Sequence, residues 1–193
     1  MNLASIPGLL VFAVFSLLPM IGAEPAPQTA EECHQLGMAL LLGKGEHPLE
    51  DALVWLDKAV KLAPANPSYL ADYGGTCLQI ADLRRSFRFA VKGRDAMEKS
   101  LALDPSQLDC RAGLMKFYGR APWPLGDSDK ALAQAGEIGR YSSPRGTKAY
   151  LELERIFERS GRRSDARAAC RAALGIDPRN AQARAAVARL NAP

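Results

Sequence analysis

One spacing constrains this chain more than any other feature. A small residue is followed by an apolar residue at +4, a small residue at +7 and a proline at +12, and the set occurs three times: Ala52-Leu56-Ala59-Pro64, Gly93-Met97-Ser100-Pro105 and Ala166-Cys170-Ala173-Pro178. Steps of four and three put the first three members on one helical face. The proline falls just past the helix and stops it. Small side chains on that face let a second helix approach closely. Recurrence of such a unit points to stacked repeats, because a lone helix pair cannot bury its own apolar face. No window shows sustained period-two alternation, so no sheet is expected.

The half-unit A-x3-[FLM]-x2-A-x4-P resembles the second helix of the tetratricopeptide repeat. The resemblance implies a preceding first helix with apolar or aromatic residues at positions four, seven and eleven and a small eighth. The last unit shows all of it but the small eighth without a gap: from Thr147 as position one come Tyr150, Leu153 and Phe157, then Gly161, Ala166, Cys170, Ala173 and Pro178. Its eighth position is Glu154 instead of glycine, a departure that bears on close packing there. The other units carry insertions: a lengthened turn GKGEHPLE in the first, about seven extra residues before Gly93 in the second, and APWPLGDS in the third. The third unit closes one place late, at Pro144. The expected architecture is an all-α right-handed solenoid of about four helix pairs, at 30–66, 67–107, 108–146 and 147–180, plus a capping helix within 181–193.

Ahead of the repeats, the first 23 residues contain no charged side chain, and Leu9 to Leu18 is an apolar run closed by Pro19. Small residues then lead to Ala23. This reads as a secretory signal over 1–23 with cleavage after Ala23, although no Lys or Arg precedes the apolar run. An uncleaved anchor is the competing reading, but the run is well short of the ~20 residues a spanning helix needs. Residues 24–29 read as an unstructured leader. The expectation is an exported, periplasmic or secreted chain without a stable membrane span after cleavage.

Catalysis needs convergent groups, and the sequence offers few. Its two histidines are His34, beside Cys33 on a helix, and His47 in a turn. Adjacent helical residues point about 100° apart, a poor arrangement for a shared metal. No zinc, phosphate-loop, nucleophile-elbow or dinucleotide motif occurs. The paired carboxylates Glu31-Glu32, Glu50-Asp51 and Asp127 with Asp129, and Ser164-Asp165, sit where helices begin and serve as caps and dipole partners. Four cysteines in an exported chain raise the question of disulfides. Their repeat positions hold them apart, so buried thiols are expected, with Cys110, off the packing positions, the one to react. No enzyme, cofactor or metal is therefore expected; the alternative is an enzyme whose site is built from Cys110, His34 or the insertion loops.

Charge supplies the functional lead. From Arg140 to Pro193 there are eleven Arg and one Lys against five acids, while the rest of the chain is slightly acidic. The resemblance implies a concave face built from positions two, five, nine, twelve and thirteen of each first helix. In this register Met38 and Leu78 fall in an apolar N-terminal half; Lys116, Arg120, Lys148, Arg155 and Arg159, with Leu151 among them, fall in a basic C-terminal half. Such a groove suits a peptide or protein tail bearing carboxylates, which Arg holds through paired, charge-assisted bonds. The bland reading is a set of solvated charges. An anionic polymer or nucleic acid is the other partner class, disfavoured by export and by the lack of aromatics among the basic residues.

Two inserted segments remain. Residues 78–92 mix Phe87, Phe89 and Val91 with Arg84, Arg85 and Arg88. Their phenylalanines are expected to fold onto the core, the alternatives being a partner or an acidic membrane surface. In the segment Ala121 to Gly126, Trp123 stands between two prolines, as a plug over its own helix ends or as an anchor for a partner.

Overall fold

The computed structural model describes residues 27–43 and 48–192. The expected signal segment, the first half of the leader and His47 lie outside them. Nine helices follow one another among the described residues, with no strand: α1 Ala30–Leu42, α2 Pro48–Leu62, α3 Pro67–Arg84, α4 Phe87–Leu103, α5 Leu108–Arg120, α6 Ser128–Tyr141, α7 Ser143–Arg159, α8 Arg163–Ile176 and α9 Ala181–Asn191. Helices pack as antiparallel pairs, α1 with α2 through α7 with α8, and α9 closes the stack against α8. The architecture is the all-α solenoid expected from the repeat.

Local chemistry explains most helix starts. Thr29 and Glu32 form a reciprocal capping box on α1, and Asn66, Ser86, Asp127 and Asn180 accept backbone N–H groups at the starts of α3, α4, α6 and α9. Asp165 stands in the first turn of α8, as expected of a dipole partner, but caps no backbone N–H. It instead accepts a 2.6 Å bond from Ser128 Oγ, joining the third pair to the fourth.

The small residues of the repeat do what their spacing predicts. Ala52, Leu56 and Ala59 are fully buried, as are Ala166, Cys170 and Ala173. The largest apolar cluster runs from Met97 on α4 through Leu114, Ile138, Leu153 and Phe157 to Leu190 on α9. A smaller one at Cys33, Ala59 and Tyr69 closes the first pair against α3.

Two boundaries differ from expectation. Pro144 does not close the third pair; it sits in the first turn of α7, where a missing N–H costs nothing, and Ser142 alone joins α6 to α7. The extra residues of the second pair form no loop. They lengthen α3 to eighteen residues, against thirteen in α1 and α5. Five residues at 1.5 Å each carry the end of α3 about 7 Å farther out than its neighbours.

Candidate functional site

First helices lie side by side along one face, and polar bonds show their register. Glu31 accepts from Tyr69 Oη at 2.6 Å, and His34 Nε2 meets Asp72 Oδ2 at 2.7 Å, joining α1 to α3. His34 also stacks on Tyr69 with centroids 4.5 Å apart. The N-terminal half of the face is thus polar as well as apolar, because Asp72, outside the expected groove positions, turns toward His34. Lys116 pairs with Glu152 at 3.2 Å, and Arg145 with Asp109, joining α5 to α7.

Toward the C-terminal end this face opens into two adjoining recesses. The larger, about 570 Å³, is lined by Lys116, Pro144, Thr147, Lys148, Leu151, Glu152, Arg155, Asn180 and Gln182. The smaller, about 330 Å³, lies between α7 and α9 and carries Arg155, Arg159, Glu158 and Arg189. Four expected groove residues, Lys116, Lys148, Leu151 and Arg155, therefore meet in one place. Leu151 is only 7% exposed and forms the floor, packed with Ala173 and Ala183. Lys148, Arg155 and Arg159 are exposed, and none has an ion-pair partner among the described residues.

Other expected members lie elsewhere. Leu78 fills the space where a Cβ of Gly93 would stand, with Leu78 Cδ2 2.7 Å from that point, so it packs onto α4 instead of lining a groove. Arg120 ends α5, and Met38 is half-buried on α1; neither lines the recesses. Sequence reasoning missed Asn180 and Gln182. The signal was present: with Ala181 as position one of a fifth first helix, positions two, five and nine are Gln182, Ala185 and Arg189, all three on the smaller recess.

Glu154, the departure at position eight, is 2% exposed. Arg189 of α9 donates to it at 2.6 Å and to both oxygens of Glu158 at 3.0 and 2.8 Å. Burial raises the Glu154 pKa while the Arg189 charge opposes the rise; the bonds from Arg189 lower that of Glu158. The signs follow. Glu154 holds its proton more tightly folded than unfolded, so its contribution is lost as pH rises above the ordinary glutamate value. The Glu158 contribution is present above that value and is lost on acidification. Replacing Arg189 with alanine removes the Glu158 bonds and deepens the Glu154 penalty. The expected result is a loss of stability larger near pH 7 than near pH 4, where Glu154, its pKa raised, is largely protonated and no longer needs the Arg189 charge. Glu154→Gln should recover part of the neutral-pH loss in the Arg189→Ala background. Urea unfolding at both pH values checks this; an equal loss at both would assign Arg189 a packing role alone.

The four cysteines are unbridged and buried. Cys110 is buried like the others and is not the reactive thiol expected: it is 4% exposed, donates to the Met97 carbonyl at 3.5 Å, and burial pushes its pKa up to about 11. Its place beyond the packing positions of α5 still faces α4, which the pattern of α5 alone does not reveal. No cluster of three or more His, Cys, Asp or Glu suited to a metal occurs among the described residues.

Stacked antiparallel pairs, small residues at the crossings and a closing helix decide the fold. It is a tetratricopeptide-repeat fold. MamA of Desulfovibrio magneticus RS-1 is similar over 86% of each chain, with a TM-score of 0.55 and 17% identity. A thermophilic TPR protein of Thermus thermophilus is similar over 84% of this chain and 81% of its own, with a TM-score of 0.54 and 20% identity. The Cut9-Hcn1 hetero-tetramer of the APC/C is similar over 85% of this chain and 30% of its own, with a TM-score of 0.56 and 16% identity. At these identities the likeness is one of fold. No protein-family model matches this chain, and comparison with curated proteins finds no match.

Proposed function

We propose that this tetratricopeptide-repeat chain is a non-catalytic interaction scaffold of the cell envelope, and that its groove holds an extended peptide or protein tail bearing carboxylates. The observation that carries the reading is the larger recess, where Lys148 and Arg155 stand without acidic partners around the apolar floor of Leu151. A buried leucine among exposed cations suits a ligand with a hydrocarbon side chain next to an anionic group. Arg159 continues the basic edge into the second recess. Glu152 and Glu158 interrupt it, which favours a few discrete carboxylates over the continuous charge of a polymer. The Cut9-Hcn1 structure, a hetero-tetramer, supports the scaffold class by likeness of fold. Export rests on the uncharged, apolar N-terminal segment.

Short peptides ending in acidic residues with a free carboxylate should be retained by the immobilised chain, and amidated neutral peptides should not. Charge-assisted bonds contribute about 1.5–3 kcal/mol each. Reversing Arg155 and Arg159 to glutamate should therefore lower retention about tenfold or more. Equal retention of both peptide pools, or no effect of the reversal, would remove the reading.

A further inference from the structure

Of the two aromatic segments expected to cover the core, Phe89 and Val91 are half-buried as the expectation has them, but three large apolar side chains turn outward. Phe87 is 60% exposed, Leu83 72% and Trp123 89%. All three lie at the turns inside helix pairs, Leu83 near the end of α3 and Phe87 at the start of α4, and Trp123 in the α5–α6 turn. These turns share one edge of the solenoid. Arg84 at the end of α3 reaches Glu50 at the start of α2, and Arg162 in the α7–α8 turn donates to the Gly119 carbonyl at the end of α5.

Local structure drives these side chains outward. The extra turn of α3 lifts Leu83 and Phe87 beyond the flanking pairs. Trp123 sits on a short loop tied down on both sides: Leu125 and Gly126 donate to the Pro122 carbonyl at 2.9 and 3.0 Å, and Asp127 to that of Tyr118 at 2.9 Å. Leu125 turns inward and is buried, which leaves Trp123 outward. Pairs stack about 10 Å apart, so the row is a protruding ridge and not a pocket.

The charge around the ridge says what it meets. Residues 82 to 92 hold four basic side chains against one acid. Arg85 and Arg88 are exposed, as is Arg120 at the foot of the Trp123 loop, and none has an ion-pair partner among the described residues. Protruding Leu, Phe and Trp flanked by Arg match the interfacial zone of a bilayer, where rings sit among headgroups and guanidinium groups meet lipid phosphates. We propose that this edge docks peripherally on an anionic lipid surface, leaving the concave groove on another face free for its ligand.

Because Trp123 is one of two tryptophans, Trp55→Phe makes it the sole reporter in the full chain. The probes are vesicles of brominated phosphatidylcholine with and without phosphatidylglycerol. Trp123 emission should be quenched by the anionic vesicles and several-fold less by the neutral ones. Reversing Arg85, Arg88 and Arg120 to glutamate should abolish the difference while leaving the melting curve in place. The apolar N-terminal segment could bring the chain to a bilayer by itself, but it would not quench Trp123 selectively. Three outcomes overturn the proposal: no quenching by anionic vesicles, equal quenching by neutral ones, or concentration-dependent burial of Trp123 without lipid, which would assign the ridge to a second copy. None of these readouts depends on the peptide groove.

Discussion

Replacing Gly93 with valine is expected to cost about 3 kcal/mol or more of folding free energy. At the crossing of α3 and α4, Gly93 and Gly74 face each other. A Cβ on Gly93 would stand 2.8 Å from the Gly74 carbonyl oxygen and 2.7 Å from Leu78 Cδ2; one on Gly74 would stand 2.9 Å from the Gly93 carbonyl and 2.6 Å from Met97 Cγ. A flexible side chain can move aside, but a carbonyl in a helix cannot without shifting the helix. The two helices must therefore separate, and Met97 and Ile80, both buried, lose packing along the crossing. Even Gly93→Ala should destabilise, although alanine is the better helix former by about 1 kcal/mol. Gly175 on α8 supplies the control, since a Cβ there meets nothing within 4 Å. Gly175→Ala should stabilise by about 0.5–1 kcal/mol. Urea unfolding of the three variants gives the signs directly, and a stabilising Gly93→Ala would refute the tight crossing.

The same crossing shows why the fold was legible. Gly93 was marked by its spacing to Met97, Ser100 and Pro105, a pattern set by helix geometry and therefore written in the chain at fixed intervals. Side chains on regular helices inherit their neighbours from that period, so Lys148, Leu151 and Arg155, spaced three and four apart, arrived together on one face. Legibility failed where period gave out. Leu78 lies opposite Gly93, whose missing side chain leaves the space that Leu78 fills, so its counted groove position became a packing position. The capping role expected of α9 hides Gln182, although α9 continues the first-helix register by one unit. Phe87 and Trp123 lie at turns, where no repeat dictates inside or outside. Hydrophobicity favoured burial, but the lengthened α3 and the hydrogen-bonded Pro122 turn decided exposure. Glu154 was noticed as a break in the pattern, yet its partner Arg189 is 35 residues away on another helix.

Truncating Phe157 to alanine is expected to remove about 3–5 kcal/mol and to separate the unfolding of the two halves of the solenoid. The ring is fully buried in the cluster that runs from α4 to α9, and the Arg162 guanidinium lies over it with Cζ 4.5 Å from the centroid. Arg162 also holds the Gly119 carbonyl and Ser128 Oγ, so Phe157 supports the link between the third and fourth pairs as well as its own core. In a stack where each pair touches only its neighbours, weakening one junction lowers the coupling between the segments on either side. The first two pairs depend on other contacts, at Cys33, Ala59, Tyr69 and the Gly74–Gly93 crossing. In the Phe157→Ala variant, amide protons of α7 to α9 should exchange well before those of α2 to α4, and a single urea transition should become two. Phe87→Ala, which removes an exposed ring, should leave one transition within about 0.5 kcal/mol of the parent. If both variants instead unfold in one step with equal losses, Phe157 is not what couples the C-terminal pairs, and the recess built on α7 and α9 does not depend on that junction.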